Sequence, residues 1–295
     1  MTAAATGHPL LIPTSRARRA RERVLLGAAV LALVVALVPL IAVILFVARD
    51  GLSVINLDFL IQDPPGDLSA AGGGIRNALF GTLEMTAIGV LMAVPTGIIV
   101  AVFAVEVGGP IAMTARFLID VLAGIPSIVV GIFVYALIVV TQGHFSGLAG
   151  SVALAIVMLP TITITTEEML RLVPRPLREA TRALGLTHWR AMVSVFIPTA
   201  LSGIITGILL AVSRALGETA PLIFTSLGNN FFTVDIGEPM QALPLLIYRN
   251  ALNSAFEAAR ARAMGAALVL VALVLLFNLA GRWLAARARP EGAKR

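Results

Sequence analysis

The sequence predicts an all-α integral membrane protein with six transmembrane helices. Of its 295 residues, 58% are hydrophobic and only 13% are charged, a balance that is unusual for a soluble globular domain. Charge-free runs long enough to cross a bilayer recur along the chain. Basic residues are concentrated in alternate connections between these runs, as expected for a multi-pass membrane protein.

Five charge-free runs supply the six helices. One run, 121–166, covers 46 residues and is too long for a single crossing. A polar, glycine-bearing stretch at 141–147 divides it, so we expect two helices there. Each of the other runs matches one crossing, and these runs comprise residues 24–48, 85–105, 191–213 and 263–281.

These helices divide the chain into a first helix and a larger core. We expect a basic tail, a first transmembrane helix, an external loop of turns without a core, a five-helix core containing a polar loop, and a second short tail. The ranges are 1–23, 24–48, 49–76, 77–285 with the polar loop at 167–190, and 286–295. The first apolar run is too long for a signal peptide, so we expect it to remain as a helix.

The arginines predict which side of the membrane each connection faces. If the N-terminus is cytoplasmic, six crossings place both termini and the loop 167–190 on the cytoplasmic side. That side then holds 16 of the 22 basic residues, which is the bias of the positive-inside rule. The net charge of +6 is thus a topology signal. We expect a multi-pass membrane protein that contacts lipid and no nucleic acid.

The polar loop 167–190 carries a spaced pattern. Glu179 and Ala180 are followed, after four residues, by Gly185, and Pro198 comes thirteen residues later. This pattern predicts a short helix, a turn at the glycine and a second amphipathic helix that carries Trp189. Arginines in a cytoplasmic loop are explained by orientation alone, but a helical knuckle of this kind can also dock into a groove of a soluble partner.

The chain lacks the residues of an ATP site. A P-loop needs a lysine after its glycines to reach the phosphates, and the only lysine of this chain is Lys294. If ATP drives the protein, a separate subunit must bind the nucleotide and its magnesium, so we expect no cofactor in this chain. The absence of cysteine excludes thiolate sites, and the three histidines are too scattered to suggest a metal site.

Two opposite charges, Arg214 and Glu218, interrupt the apolar segment around the fifth helix. An arginine at the bilayer centre costs roughly 3 kcal/mol on insertion scales, so something must offset that cost. The two residues are four positions apart on one helix face and can pair with each other. A structural pair that neutralises itself near the outer interface explains them as well as a functional site does.

The functional interpretation is an anion site in a transport pathway. Arginine presents a planar fork of donors that matches phosphate-type oxyanions, and it stays charged at any useful pH. Glu218 would hold the guanidinium while the site is empty and would help an anion to leave, because a conducting site must not bind too tightly. On this interpretation, the substrate pathway includes four residues, Ser213, Arg214, Glu218 and Thr219.

The polar loop resembles the EAA loop of ABC-importer permeases. That family has a second alanine where this chain has Thr181, and Ile and Leu where it has Val195 and Ile197, which are mild departures. In the family, the loop forms coupling helices that sit in a cleft of the ATPase subunit. The resemblance implies an ATPase contact through Glu179, Ala180, Thr181, Gly185, Leu186 and Trp189.

Further motifs resemble the permease subunits of the high-affinity phosphate importer, and they cover most of the chain from residue 72 onward. They are the runs 72–75 with 81–82, 122–129, 165–170 and 214–221. The end of the last run and the segment 243–248 are more similar to the PstA-type subunit than to its PstC-type partner. The resemblance implies a type I importer fold, a homologous second permease subunit, two ATPase subunits and an external phosphate-binding protein, with Arg214 and Glu218 assisting phosphate passage.

We therefore expect a transporter subunit, not an enzyme, that helps to import inorganic phosphate by alternating access. The nearest alternative keeps this architecture and changes the cargo to sulfate, molybdate or phosphonate. A self-contained channel or ion-coupled carrier is a second alternative, against which the loop 167–190 argues. A membrane scaffold without a transport role is a third. Oxyanion competition, ATP-independent flux and uptake after deletion distinguish these possibilities.

Overall fold

The computed structural model describes residues 16–287, and every regular element in this range is a helix. Within the range we number the helices α1 to α11: Arg16–Gly51, Leu57–Ile61, Arg76–Glu106, Gly109–Gly124, Ser127–Gln142, Gly147–Arg171, Arg175–Ala183, His188–Leu216, Ala220–Thr225, Leu243–Leu252 and Glu257–Arg287. α5 and α8 each contain one π-helical turn, at Tyr135–Val139 and Met192–Phe196. The outer parts of the predicted tails, 1–15 and 288–295, lie outside the described residues.

The helices supply the six predicted crossings if one bent pair is counted as a single crossing. α1, α3, α6, α8 and α11 are each long and apolar enough to span a membrane, and α4 with α5 forms the bent pair. The predicted division of the run 121–166 is confirmed. Gly143 follows α5 in the left-handed conformation with φ at 80°, and Ser146 Oγ accepts a bond of 3.1 Å from Ala149 N at the start of α6.

The pair α4 and α5 departs from the straight helix expected from residue 121. The axes of the two helices differ by 106°. Pro126 cannot donate a backbone hydrogen bond, and it holds Ile125 in an extended conformation with ψ at 128°. α4 also begins well before residue 121, and its charged residues Arg116 and Asp120 excluded it from the charge-free run.

Residues up to Arg49 and residues from Asp50 onward form two separate units. In the first unit, α1 begins at Arg16, eight residues before the predicted start of the first transmembrane helix at 24. Residues 16–23, which were assigned to the basic tail, are therefore helical. Arginine and alanine dominate this stretch, and both favour helix.

α6 lies at the centre of the second unit, where it packs against α3, α4, α5, α8 and α9. In its most apolar segment 67% of the residues are buried, whereas the corresponding share is 33% in α3 and α8 and 17% in α11. Small residues permit the close packing. Gly203 and Gly207 of α8 face Met169 and Thr165 of α6, leaving no room for larger side chains.

The connection between α1 and α3 is more ordered than the predicted turns. It contains α2, and Phe59 of α2 is buried in an apolar cluster with only 3% exposure. Arg262 of α11 is 4% exposed and donates to the carbonyls of Leu68, Ala70 and Gly72 at 2.6, 2.7 and 3.2 Å. The connection is therefore held against α11, and the expectation of a loop without a core is wrong.

Candidate anion site and coupling surface

Arg214 lines a partly open cavity of about 240 Å³ on the helical core. The cavity lies between the α4–α5 bend, the middle of α6 and the last turns of α8. The lining residues that the structure describes are apolar except for Ser127, Thr161, Thr165 and Arg214. Residues 122–130 and Arg214, which are distant in sequence, therefore meet around one space.

Two prolines shape this cavity. Pro126 ends the extended link between α4 and α5, and Pro160 lies inside α6 and lines the cavity. Because Pro160 has no N–H, it cannot donate to the carbonyl of Ile156, which also lines the cavity. Pro126 thus ends regular helix beside the cavity, whereas α6 continues through Pro160 with one backbone hydrogen bond missing.

Arg214 and Glu218 form the predicted ion pair, but the pair is loose. Arg214 Nε and Glu218 Oε1 are 3.4 Å apart, and the side chains are 56% and 14% exposed. Within the described chain, no bond is formed by the two terminal nitrogens of the guanidinium. The fork of Arg214 can therefore bind an oxyanion while Glu218 keeps its hold on Nε.

Of the four predicted pathway residues, only Arg214 lines the cavity, and Glu218 reaches it only through its pair with Arg214. Ser213 Oγ accepts a bond of 2.8 Å from Asn278 Nδ2, so it lies at the contact between α8 and α11. Thr219 precedes α9, and its carbonyl accepts a bond of 3.2 Å from Ile223 N. Adjacent residues of a helix point about 100° apart, as follows from 3.6 residues per turn, so proximity to Arg214 in sequence did not place Ser213 in the cavity.

Three hydroxyl residues of the cavity, Ser127, Thr161 and Thr165, were missed by sequence reasoning. Ser127 and Thr161 do carry a signal, because each directly follows a proline inside an apolar run. Thr165 lies one turn beyond Thr161 on the same face of α6. The sequence does not bring them near Arg214, because that requires the packing of three helices.

The polar loop 167–190 contains the predicted short helix and turn, but the predicted second helix is the beginning of the membrane helix α8. α7 is the short helix, Gly185 adopts the left-handed conformation with φ at 70°, and α8 begins at His188. The first residues of the predicted loop, 167–171, belong instead to the end of α6. Glu167 is 6% exposed there and forms ion pairs with Arg116 of α4 and Arg171 of α6.

The predicted coupling residues divide into an exposed and an inward-facing group. Glu179, Ala180, Gly185 and Trp189 are exposed, with Trp189 at 70%. The hydroxyl of Thr181, by contrast, donates to the carbonyl of Arg178 at 2.8 Å, and the residue is only 4% exposed. Leu186 packs against the apolar cluster below the loop. Sequence reasoning missed Leu184, which is 78% exposed between Ala180 and Gly185.

Glu106, at the end of α3, holds both helices of the loop. Its Oε1 is 3.4 Å from Arg178 Nη1 of α7, and its Oε2 is 3.2 Å from His188 Nδ1 of α8. Arg178 also donates to the carbonyl of Leu170 at 2.7 Å and lies 4.7 Å from the ring centroid of Phe196. These contacts attach the loop to α3, α6 and α8.

This chain is similar to known transport proteins over most of its length. Residues 93–290 match the family of binding-protein-dependent transport system inner membrane components. The phosphate transport system permease protein PstA of Mycobacterium leprae is 40% identical over 286 residues, covering 94% of both chains. The PstA of Yersinia pestis is 37% identical over 274 residues, covering 92% of both chains.

Solved structures of lower identity share the fold. A chain of a bacterial alginate ABC transporter has a TM-score of 0.67 at 14% identity, covering 90% of this chain and 95% of that one. A chain of the MetNI methionine ABC transporter, in an inward-facing conformation, has a TM-score of 0.57 at 21% identity, covering 74% and 95%. The predicted all-α, type I importer fold is confirmed. The chain thus belongs to the binding-protein-dependent transport system inner membrane components, and within them to the PstA-type phosphate transport system permeases.

Proposed function

We propose that this chain is the transmembrane permease subunit of an ATP-driven importer of inorganic phosphate, and that it forms half of the translocation pathway. One observation carries the proposal. Arg214, whose two terminal nitrogens are unbonded within the described chain, lines a cavity whose other described lining residues are uncharged. The chain that carries it is related to phosphate permeases. The chain performs no covalent chemistry, and its task is to expose this site to each side of the membrane in turn.

The chemistry of Arg214 suits a transient phosphate site. The guanidinium offers two parallel donors to a tetrahedral oxyanion, and the other described lining residues bring no charge that would compete for them. Glu218 lies within reach of Nε. Its carboxylate disfavours a resident anion, so it limits the lifetime of the bound state. Ser213 and Thr219 support the turn around Arg214 instead of contacting phosphate.

Energy comes from partner chains in this proposal. Two ATPase subunits hold ATP and magnesium, and they contact the exposed surface of the loop through Glu179, Ala180, Gly185 and Trp189. Thr181 and Leu186 shape that surface from behind. A homologous second permease completes the pathway, and an external phosphate-binding protein delivers the cargo, as the relationship to binding-protein-dependent systems implies.

We place the loop and both termini on the cytoplasmic side of a bacterial inner membrane. The support is the distribution of basic residues, 16 of 22 of which then face the cytoplasm. Labelling of single cysteines introduced into the cysteine-free chain tests this orientation. In cells that lack the ATPase subunits, Leu184→Cys should react with an impermeant maleimide only after the cells are opened, and reaction in intact cells contradicts the orientation.

The cargo is tested by uptake in cells that lack this chain and their secondary phosphate carriers. The intact chain should restore phosphate uptake that excess sulfate does not inhibit. Inhibition by sulfate, molybdate or phosphonate transfers the assignment to that oxyanion, because Arg214 alone fits each of them. The relatives named for phosphate transport favour phosphate.

A further inference from the structure

Hydroxyl side chains in the helices of this chain mostly bond to their own helix. The hydroxyls of Thr82, Thr163, Thr165 and Thr206 each donate to the carbonyl four residues earlier, at 2.7 to 2.8 Å. Helical threonines commonly make this bond, and it leaves them without need of another acceptor. A helical hydroxyl that does not make it, as at Thr86 and Thr166 or at the first residue of a helix such as Ser127, is free to bond a ligand where it also lines a cavity.

Two such hydroxyls line the cavity of Arg214. In the part of the chain that the structure describes, neither Ser127 Oγ nor Thr161 Oγ1 has a hydrogen-bond partner, and both residues are half-buried. Thr165 lines the same cavity, but its hydroxyl donates to the carbonyl of Thr161 at 2.7 Å. The free hydroxyls come from two different helices, α5 and α6, and both follow a proline.

The cavity has the size and the charge for a hydrated tetrahedral anion. A volume of about 240 Å³ is far more than the roughly 10–15 Å³ that one water molecule needs on the same measure, so it leaves room for a small anion with water around it. Arg214 is the only charged side chain among its described lining residues. Because a hydroxyl both donates and accepts, it can bind a bare oxygen of phosphate or accept from a P–OH group.

We propose that Ser127 and Thr161 are oxyanion ligands, which complete the phosphate site of Arg214 at the α4–α5 bend. This inference rests on the proposed function, because it concerns the same cavity. Arg214 supplies the charge, and the two hydroxyls fix the position of the anion between the bend and α6. Neutral ligands orient an anion without the tight hold of a second positive charge, as passage through the site requires.

The test removes one hydroxyl at a time. Ser127→Ala and Thr161→Val delete a free hydroxyl with little change in volume, and Thr165→Val is the matched control from the same cavity. The full chain and its partner subunits are expressed in the deletion cells described above. The maximal rate of phosphate uptake is divided by the amount of assembled complex in the membrane, and ATP hydrolysis is measured on the purified complex.

We expect Ser127→Ala and Thr161→Val each to lower maximal uptake per complex about tenfold, as the loss of one hydrogen bond to a charged ligand predicts. Thr165→Val should stay within about twofold of the unmodified chain, because its hydroxyl is already bonded within α6. Thr161→Ser should restore uptake. ATP hydrolysis should be retained in all variants, so that less phosphate is imported for each ATP hydrolysed.

Three results would overturn the inference. One is that Ser127→Ala and Thr161→Val transport as well as Thr165→Val while Arg214→Lys does not, which leaves the proposed function intact. Another is a fall in the amount of complex at an unchanged rate per complex, which indicates a structural role for the hydroxyls. The third is normal transport by Arg214→Lys, which removes the anion role of Arg214 and the inference built on it, while failure of the unmodified chain to restore phosphate uptake would contradict the proposed function itself.

Discussion

Glu106 is the residue through which the loop surface is fastened to the membrane core, and its removal has a calculable effect. The pair with Arg178 is 3.4 Å long, and its side chains are 17% and 23% exposed. A hydrogen bond between charged groups of this kind contributes about 1.5–3 kcal/mol. His188 is 77% exposed, so its pair with Glu106 adds at most about 0.5 kcal/mol. We therefore expect Glu106→Ala to weaken the attachment of α7 by about 2 kcal/mol.

Amide hydrogen exchange of α7 measures this weakening directly. A loss of about 2 kcal/mol in the free energy of local opening accelerates exchange of the amides in 175–183 about 30-fold. α7 should remain folded, since Arg178 keeps its 2.7 Å bond to the carbonyl of Leu170. In the assembled importer, the same variant should import less phosphate for each ATP hydrolysed, because movements of the loop no longer reach α3.

Glu168→Ala is the matched control for Glu106→Ala. Glu168 is an exposed carboxylate at the end of α6, and within the described residues its side chain forms no ion pair or hydrogen bond. Equal acceleration of exchange in both variants would refute the argument, because the effect would then arise from loss of negative charge alone. Unchanged exchange in Glu106→Ala would refute it as well.

Two further predictions concern packing. A Cβ on Gly131 of α5 would come within 2.6 Å of the backbone of α9, whereas one on Gly124 would meet nothing within 4 Å. Gly131→Ala should therefore destabilise the fold by about 1–3 kcal/mol and lower the thermal unfolding midpoint of the purified complex. An equal effect of Gly124→Ala would contradict this. Arg262→Gln should remove the donors that hold three carbonyls and accelerate amide exchange of residues 63–74 at least tenfold. The exposed Arg260→Gln is its control, and equal protection in both variants would contradict the role of Arg262.

The fold was largely predictable because lipid allows few solutions. A charge-free run of about 20 residues must form a helix to satisfy its backbone, and this gave the number of crossings. The same criterion failed at α4, because Arg116 and Asp120 interrupt its apolar sequence. It also failed at Pro126, where the local preference for extended backbone turned one expected helix into two.

Only the charged residues of the candidate site were predictable from the sequence. Arg214 and Glu218 stand out because a charge in an apolar run is costly and needs a reason. Ser127 and Thr161 are polar residues of a common kind, and only the meeting of α5, α6 and α8 makes them neighbours of Arg214. The inward position of Thr181 likewise depends on how α7 packs, which the loop pattern does not encode.

The central claim is that the guanidinium fork of Arg214 binds the oxyanion during passage. Its most direct test is phosphate accumulation by proteoliposomes that contain the full importer with Arg214→Lys, compared with Arg260→Lys. Lysine keeps the charge and loses the fork, and Arg214 is 56% exposed, so the variant should assemble. We predict that Arg214→Lys hydrolyses ATP but accumulates phosphate at least about tenfold more slowly, while Arg260→Lys behaves as the unmodified chain. Accumulation by Arg214→Lys at the unmodified rate would contradict the account and leave Arg214 and Glu218 as a structural pair.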